Sequence, residues 1–67
     1  MRCRFHFRRE GRDVVYEVRP GDTYADALLS LCVVPYTVLI FHHNKSLPED
    51  KPIEENEVDI LTTSSRG

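Results

Sequence analysis

Glycine is scarce in this chain and never clustered. Gly11, Gly21 and Gly67 stand alone, so no loop can cradle a phosphate with successive backbone amides. Cysteine is scarcer still. Cys3 and Cys32 cannot supply the dense cross-linking of a small secreted domain, and they lack a C-x-x-C spacing. They read as two buried free thiols, with a single disulfide as the alternative, and free thiols suit a reducing, cytoplasmic location. Long apolar runs are also missing. Leu31-Cys32-Val33-Val34, resumed after Pro35 by Val38 to Phe41, falls short of the about 20 residues that cross a membrane. The opening arginines Arg2, Arg4, Arg8 and Arg9 resemble a targeting segment in charge alone, because Phe5 and Phe7 alternate with polar residues as in a strand.

What remains is one small domain. Its 67 residues are 40% hydrophobic, enough for a single modest core. The net charge of -2 is polarised along the chain: arginines crowd the first 19 residues, and Glu49, Asp50, Glu54, Glu55, Glu57 and Asp59 crowd the other end. A sheet that brings the two ends together would pair these sets. Nucleic acid is not an expected partner, since it wants a net basic surface and an aromatic-basic motif.

Strict alternation over residues 2–8 predicts a half-buried strand with Cys3, Phe5 and Phe7 inward. Glu10-Gly11-Arg12 turns the chain, and residues 13–19 form a second strand with Val14, Tyr16 and Val18 inward. After Pro20-Gly21-Asp22 the period changes. Tyr24, Ala27, Leu28 and Leu31 make one helical stripe, with Thr23 as cap and Asp26 completing a short capping box. Asp22 is an alternative cap. Pro35 and the preceding valines end the helix near Leu31 or Cys32.

Residues 37–42 read as a third strand, apolar without alternation and so central, one face under the helix and the other open to a partner. His43-Asn44-Lys45-Ser46 is a turn, with Asn44 in the left-handed region. Leu47 returns to the core, Ile53 anchors an irregular segment, and residues 57–61 form the last strand with Val58 and Ile60 inward. The expected fold is α+β: a mixed sheet of four to five strands with one helix across one face, and the chain ends on neighbouring central strands. The domain spans residues 1–61, and residues 62–67 form a tail.

Chemistry inside the domain is sparse. His42 and His43, adjacent on a strand, point to opposite faces, and with His6 they offer no metal-ligand spacing. Cys32 has no oriented base to activate it. Glu54, Glu55 and Glu57 read as solvated loop carboxylates in a domain with little room for a pocket. No metal, intrinsic cofactor or catalytic residue is expected, and the chain is not read as an enzyme. The tail is different. Thr62-Thr63-Ser64-Ser65-Arg66-Gly67 holds nothing large enough to anchor it and ends without a side chain, so it suits a narrow partner cleft.

The element order and the tail together resemble the ubiquitin-like β-grasp family. Similarity is closest to the small prokaryotic sulfur carriers of thiamine and molybdopterin synthesis, and to archaeal ubiquitin-like modifier proteins. It is carried by Val18-Arg19-Pro20-Gly21-Asp22-Thr23 before the helix and Ala25-Asp26-Ala27-Leu28-Leu29 within it. Further along it is carried by Val38-Leu39-Ile40-Phe41, the Asn44-Lys45 turn, and Glu55-Asn56-Glu57-Val58-Asp59-Ile60 ahead of the tail. Two departures stand out. An Asn-Lys pair replaces the family's Asn-Gly turn, and Ser65-Arg66-Gly67 replaces its usual Gly-Gly. A further glycine, a precursor form and a relative without conjugation all remain open there.

The resemblance implies that Gly67 is the acyl site. Its carboxylate would be adenylated by a separate ubiquitin-activating-type enzyme that uses ATP and Mg. Sulfur transfer would then give a thiocarboxylate for a sulfur-accepting synthase; attack by a target-protein lysine would give an isopeptide bond. Arg66 would position the tail, with Ser64 and Ser65 keeping it extended. Leu39-Ile40-Phe41 is similar to the ubiquitin strand whose middle residue faces partners, so Ile40, with Thr37 or His42, is the expected docking patch and Leu39 and Phe41 face the core. Lys45 and Lys51, the only lysines, are the possible conjugation acceptors. The alternative is a noncovalent β-grasp binding module with an inert tail.

Overall fold

The computed structural model describes residues 1–63. Alternation at the start yields β1 (Arg2–Phe7), which pairs antiparallel with β2 (Arg12–Glu17) through a turn in which Gly11 takes φ 63°. Helix α1 (Tyr24–Ser30) begins where expected. The Thr23 side chain accepts from the Asp26 amide at 3.2 Å, while the Asp26 carboxylate accepts from the Thr23 amide at 3.0 Å. A 3-10 turn (Pro35–Thr37) leads into β3 (Val38–His42), β4 (Lys45–Leu47) and β5 (Glu57–Thr62).

The sheet order is β2-β1-β5-β3-β4. β1 and β5 are parallel neighbours at its centre, and the other pairings are antiparallel. One helix and a five-stranded mixed sheet give the α+β architecture of the ubiquitin-like β-grasp. The parallel register explains why the two charge sets meet: Arg4 reaches Glu57 at 2.5 Å and Arg8 reaches Asp59 at 3.0 Å. These pairs are exposed, so each adds little to stability. The core lies between sheet and helix. Phe5 sits at its centre, edge-on to Tyr16 and to Tyr24 with centroids 6.3 Å away in both cases.

Several expectations change. β2 ends at Glu17, and β5 runs to Thr62, one residue beyond Leu61. Cys3 is buried as expected, but Cys32 is exposed. The helix closes with a Schellman motif: the Val33 amide donates to the Leu28 carbonyl and the Cys32 amide to the Leu29 carbonyl. That motif requires a left-handed residue, and Cys32 supplies it at φ 64°. The thiol is thereby turned away from the core.

At the next turn His43 and Asn44 have φ 51° and 67°, while Lys45 is already in β4. A two-residue loop with both residues left-handed matches the twist of its flanking strands. Asn44 is left-handed as expected, and its partner in that conformation is not Lys45 but His43. Leaving the strand there also stacks its ring on His42, with centroids 4.0 Å apart, instead of on the opposite face.

The main correction concerns facing in β3. His42 pairs with Lys45, Phe41 with Ser46 and Ile40 with Leu47. On the other side Ile40 pairs with Ile60 and Leu39 with Leu61. Ile40 thus points at the core and is 3% exposed, while Leu39 is outward and 43% exposed. Strand periodicity is two, so a shift of one residue reverses every side chain.

Candidate functional site

Topology sets where the tail leaves the body. β5 occupies the middle of the sheet and its C-terminal end emerges between β1 and β3. At that root Thr63 donates its amide to the Thr37 carbonyl at 2.9 Å and its hydroxyl to the same oxygen at 3.1 Å. Arg9 donates to the Thr62 carbonyl at 3.4 Å, and the Thr62 hydroxyl donates to Glu10 at 3.4 Å. The tail root is held on both sides by the folded body. The residues expected to carry the chemistry, Ser64, Ser65, Arg66 and Gly67, lie outside the described residues.

Beside the root is a groove of ≈ 280 Å³, floored by Phe7, Leu31, Val33 and Val38 and rimmed by Glu10 and Arg12. On the outer face of the sheet, Leu39 and Leu61 sit side by side. Phe41 continues this apolar strip, with the Arg8 guanidinium 5.6 Å over its ring. A second hollow of ≈ 320 Å³ lies further along the same face. Its charged walls pair with one another, Arg4 with Glu57 and His6 with Asp13, and His43 lines it without an ion pair among the described residues.

The residues expected to dock a partner do not form one patch. Ile40 is in the core and cannot present its side chain. Thr37 lies at the tail root, where its carbonyl serves Thr63 and its hydroxyl donates to the Val34 carbonyl at 2.7 Å. His42 is at the other end of β3, its Nδ1 3.0 Å from the Glu57 carbonyl and its Nε2 3.1 Å from Glu55. The outer face of the sheet near the root instead presents Leu39, which is exposed, and its half-buried neighbour Leu61. The signal for this facing lies in the His43-Asn44 turn, which pairs His42 with Lys45 and so sets the register of β3; the likeness of Leu39-Ile40-Phe41 to the ubiquitin strand does not carry it.

Of the remaining reactive groups, Cys3 and Lys51 are restrained. Burial, reinforced by the charges of Glu55 and Glu57, pushes the Cys3 thiol up to about 11, which removes its thiolate at neutral pH. Lys51 bonds Glu54 at 2.7 Å, and that contact raises the lysine above its ordinary value. Lys45 is exposed on β4, which has one edge unpaired. Among the described residues no group of His, Cys, Asp and Glu is arranged to hold a metal, and no helix is long and apolar enough to cross a membrane.

Comparison with curated proteins gives no match. Residues 1–62 match the family model of small archaeal modifier protein 2, which the mixed sheet with one helix fits, and the chain belongs to that family.

Proposed function

We propose that this ubiquitin-like modifier is an acyl donor whose chemistry takes place in its partners. The Gly67 carboxylate attacks the α-phosphate of ATP, held with Mg in a separate ubiquitin-activating-type enzyme, and pyrophosphate leaves. The acyl adenylate then loses AMP to a sulfur donor, giving a thiocarboxylate for a sulfur-accepting synthase, or passes to a target-protein lysine. Glycine suits the acyl position because a β-carbon would crowd the carbonyl in a tight channel. The body contributes binding and orientation, and the enzyme stabilises the transition state.

One observation carries this reading. The sheet, the core and the tail root are built among residues 1–63, and the central strand β5 delivers the chain to Thr63, four positions ahead of Gly67 in the sequence. The Leu39, Leu61 and Phe41 strip gives such a partner a surface close to the root, replacing Ile40 in that role.

Intact mass measurement tests it. The chain is incubated with ATP, Mg and the activating enzyme of the same cell, with and without a sulfur source. Exchange of one oxygen for sulfur, or addition of a target's mass, is the expected result. Deletion of Gly67 is expected to abolish both products with the fold unchanged; product formation by the deleted chain would overturn the proposal.

A further inference from the structure

We infer that the tip of the β1–β2 hairpin, through Arg9 and Arg12, seats against an acidic rim around the channel into which a partner protein draws the tail. The inference rests on the adenylation reading above and identifies the chemistry of the surface that receives this chain.

Position comes first. Arg9 and Glu10 both contact Thr62, the last residue of β5, and Arg12 edges the groove beside it. A protein that takes in the residues beyond Thr63 must therefore bring the mouth of its channel against this tip.

Charge comes second. Of the six arginines among the described residues, Arg2, Arg4, Arg8 and Arg19 each pair with a carboxylate: Glu17, Glu57, Asp59 and Asp22 respectively. Arg9 and Arg12 make no ion pair among the described residues, and both are exposed. Among the described residues neither guanidinium meets a carboxylate, Arg9 bonding only the Thr62 carbonyl at 3.4 Å, and both stand beside the tail root. A guanidinium is matched by a carboxylate, which can accept two parallel hydrogen bonds from it.

The remainder of the molecule reinforces the orientation. Glu49, Asp50, Glu54 and Glu55 lie in the segment preceding β5, whose N-terminal end is opposite the tail root. An acidic surface repels that end and attracts the tip, so the chain approaches with its tail forward. The groove floor of Phe7, Leu31 and Val33 then offers an apolar seat next to the charged contacts.

The test uses the full chain, its activating enzyme and ATP–pyrophosphate exchange. The double variant R9E/R12E is expected to raise KM about tenfold at low salt with kcat unchanged, because rim charges act on encounter. The increase is expected to shrink in high salt, where screening acts over only a few ångströms, about 3 Å at 1 M. R2E, which changes a paired arginine in β1, is expected to leave KM near the wild-type value. R9Q/R12Q, with a smaller rise, serves if the reversed variant does not fold. An unchanged KM in a folded double variant, or a rise that salt does not alter, overturns the inference while leaving the adenylation reading intact. Tight binding of a single-stranded RNA oligonucleotide that the double variant loses, with exchange unaffected, also overturns it. Absence of exchange by the wild-type chain overturns both.

Discussion

Thr63 and Thr37 are joined by two hydrogen bonds to one oxygen: the amide and the hydroxyl of Thr63 both end on the Thr37 carbonyl, at 2.9 and 3.1 Å. The contact extends the β5–β3 ladder one residue past Thr62 and fixes the point from which the tail departs. Thr63→Pro removes both donors, amide and hydroxyl. Urea unfolding is expected to show a loss of about 2 kcal/mol, the net worth of two such bonds. An unchanged midpoint would mean that the root is held elsewhere.

The facing of β3 gives a sharper comparison. Ile40→Ala opens a cavity beneath Ile60 and Leu47 and is expected to cost about 2–5 kcal/mol. Leu39→Ser is expected to stay within about 0.5 kcal/mol of the parent, since the side chain is half-exposed. In the exchange assay the order reverses: Leu39→Ser raises KM, while any folded Ile40 variant keeps it. The opposite pattern would restore the outward Ile40 expected from the sequence.

That reversal shows where the sequence was legible. The alternation of Cys3, Phe5 and Phe7 and the stripe of Tyr24, Ala27 and Leu28 both report burial, because each period belongs to one kind of element. The polarised charges likewise indicated that β1 and β5 would be neighbours. Residues 38–41 are all apolar, so they contain no period from which to read a face. Only the turn at His43-Asn44 fixes it, by pairing His42 with Lys45. Arg9 and Arg12 were equally hidden, since a sequence does not show which arginines find a carboxylate.

Left-handed backbone at non-glycine residues offers a gain in stability. Cys32 at φ 64° closes the helix in a conformation that costs a side-chain-bearing residue about 1–2 kcal/mol. Cys32→Gly is expected to raise stability by about 1 kcal/mol, less than the full relief because glycine loses more chain entropy on folding. The replacement His43→Asn with Asn44→Gly is expected to act in the same direction. Thermal unfolding of each variant measures the change, and a lower midpoint in both would refute the argument.

Asp22 makes stability depend on acid. The Arg19 amide and the Tyr16 hydroxyl donate to its carboxylate at 2.9 and 2.8 Å, and the Arg19 guanidinium adds its charge. These contacts, the Arg19 amide foremost, lower Asp22 below its ordinary value of 3.8. A depressed carboxyl stabilises the fold above its unfolded value, and that contribution is lost as pH falls through the lower folded value. Urea midpoints are therefore expected to decline below about pH 4 in the parent. In Asp22→Asn the midpoint is expected to be lower at neutral pH and to decline less in acid. Parallel profiles for the two proteins would exclude Asp22 as a source.

If one copy of the chain becomes joined to another, the acceptor is expected to be Lys45. Attack on an acyl adenylate requires a neutral amine, and Glu54 holds Lys51 in its charged form at 2.7 Å. Lys45 stands on the short β4 strand, exposed and without an ion pair among the described residues. Peptide mapping of linked chains is expected to place the branch on Lys45, to lose it in Lys45→Arg and to keep it in Lys51→Arg. Glu54→Gln releases Lys51 and is expected to shift part of the linkage there. A branch found on Lys51 in the parent would show that channel geometry, not amine protonation, selects the acceptor.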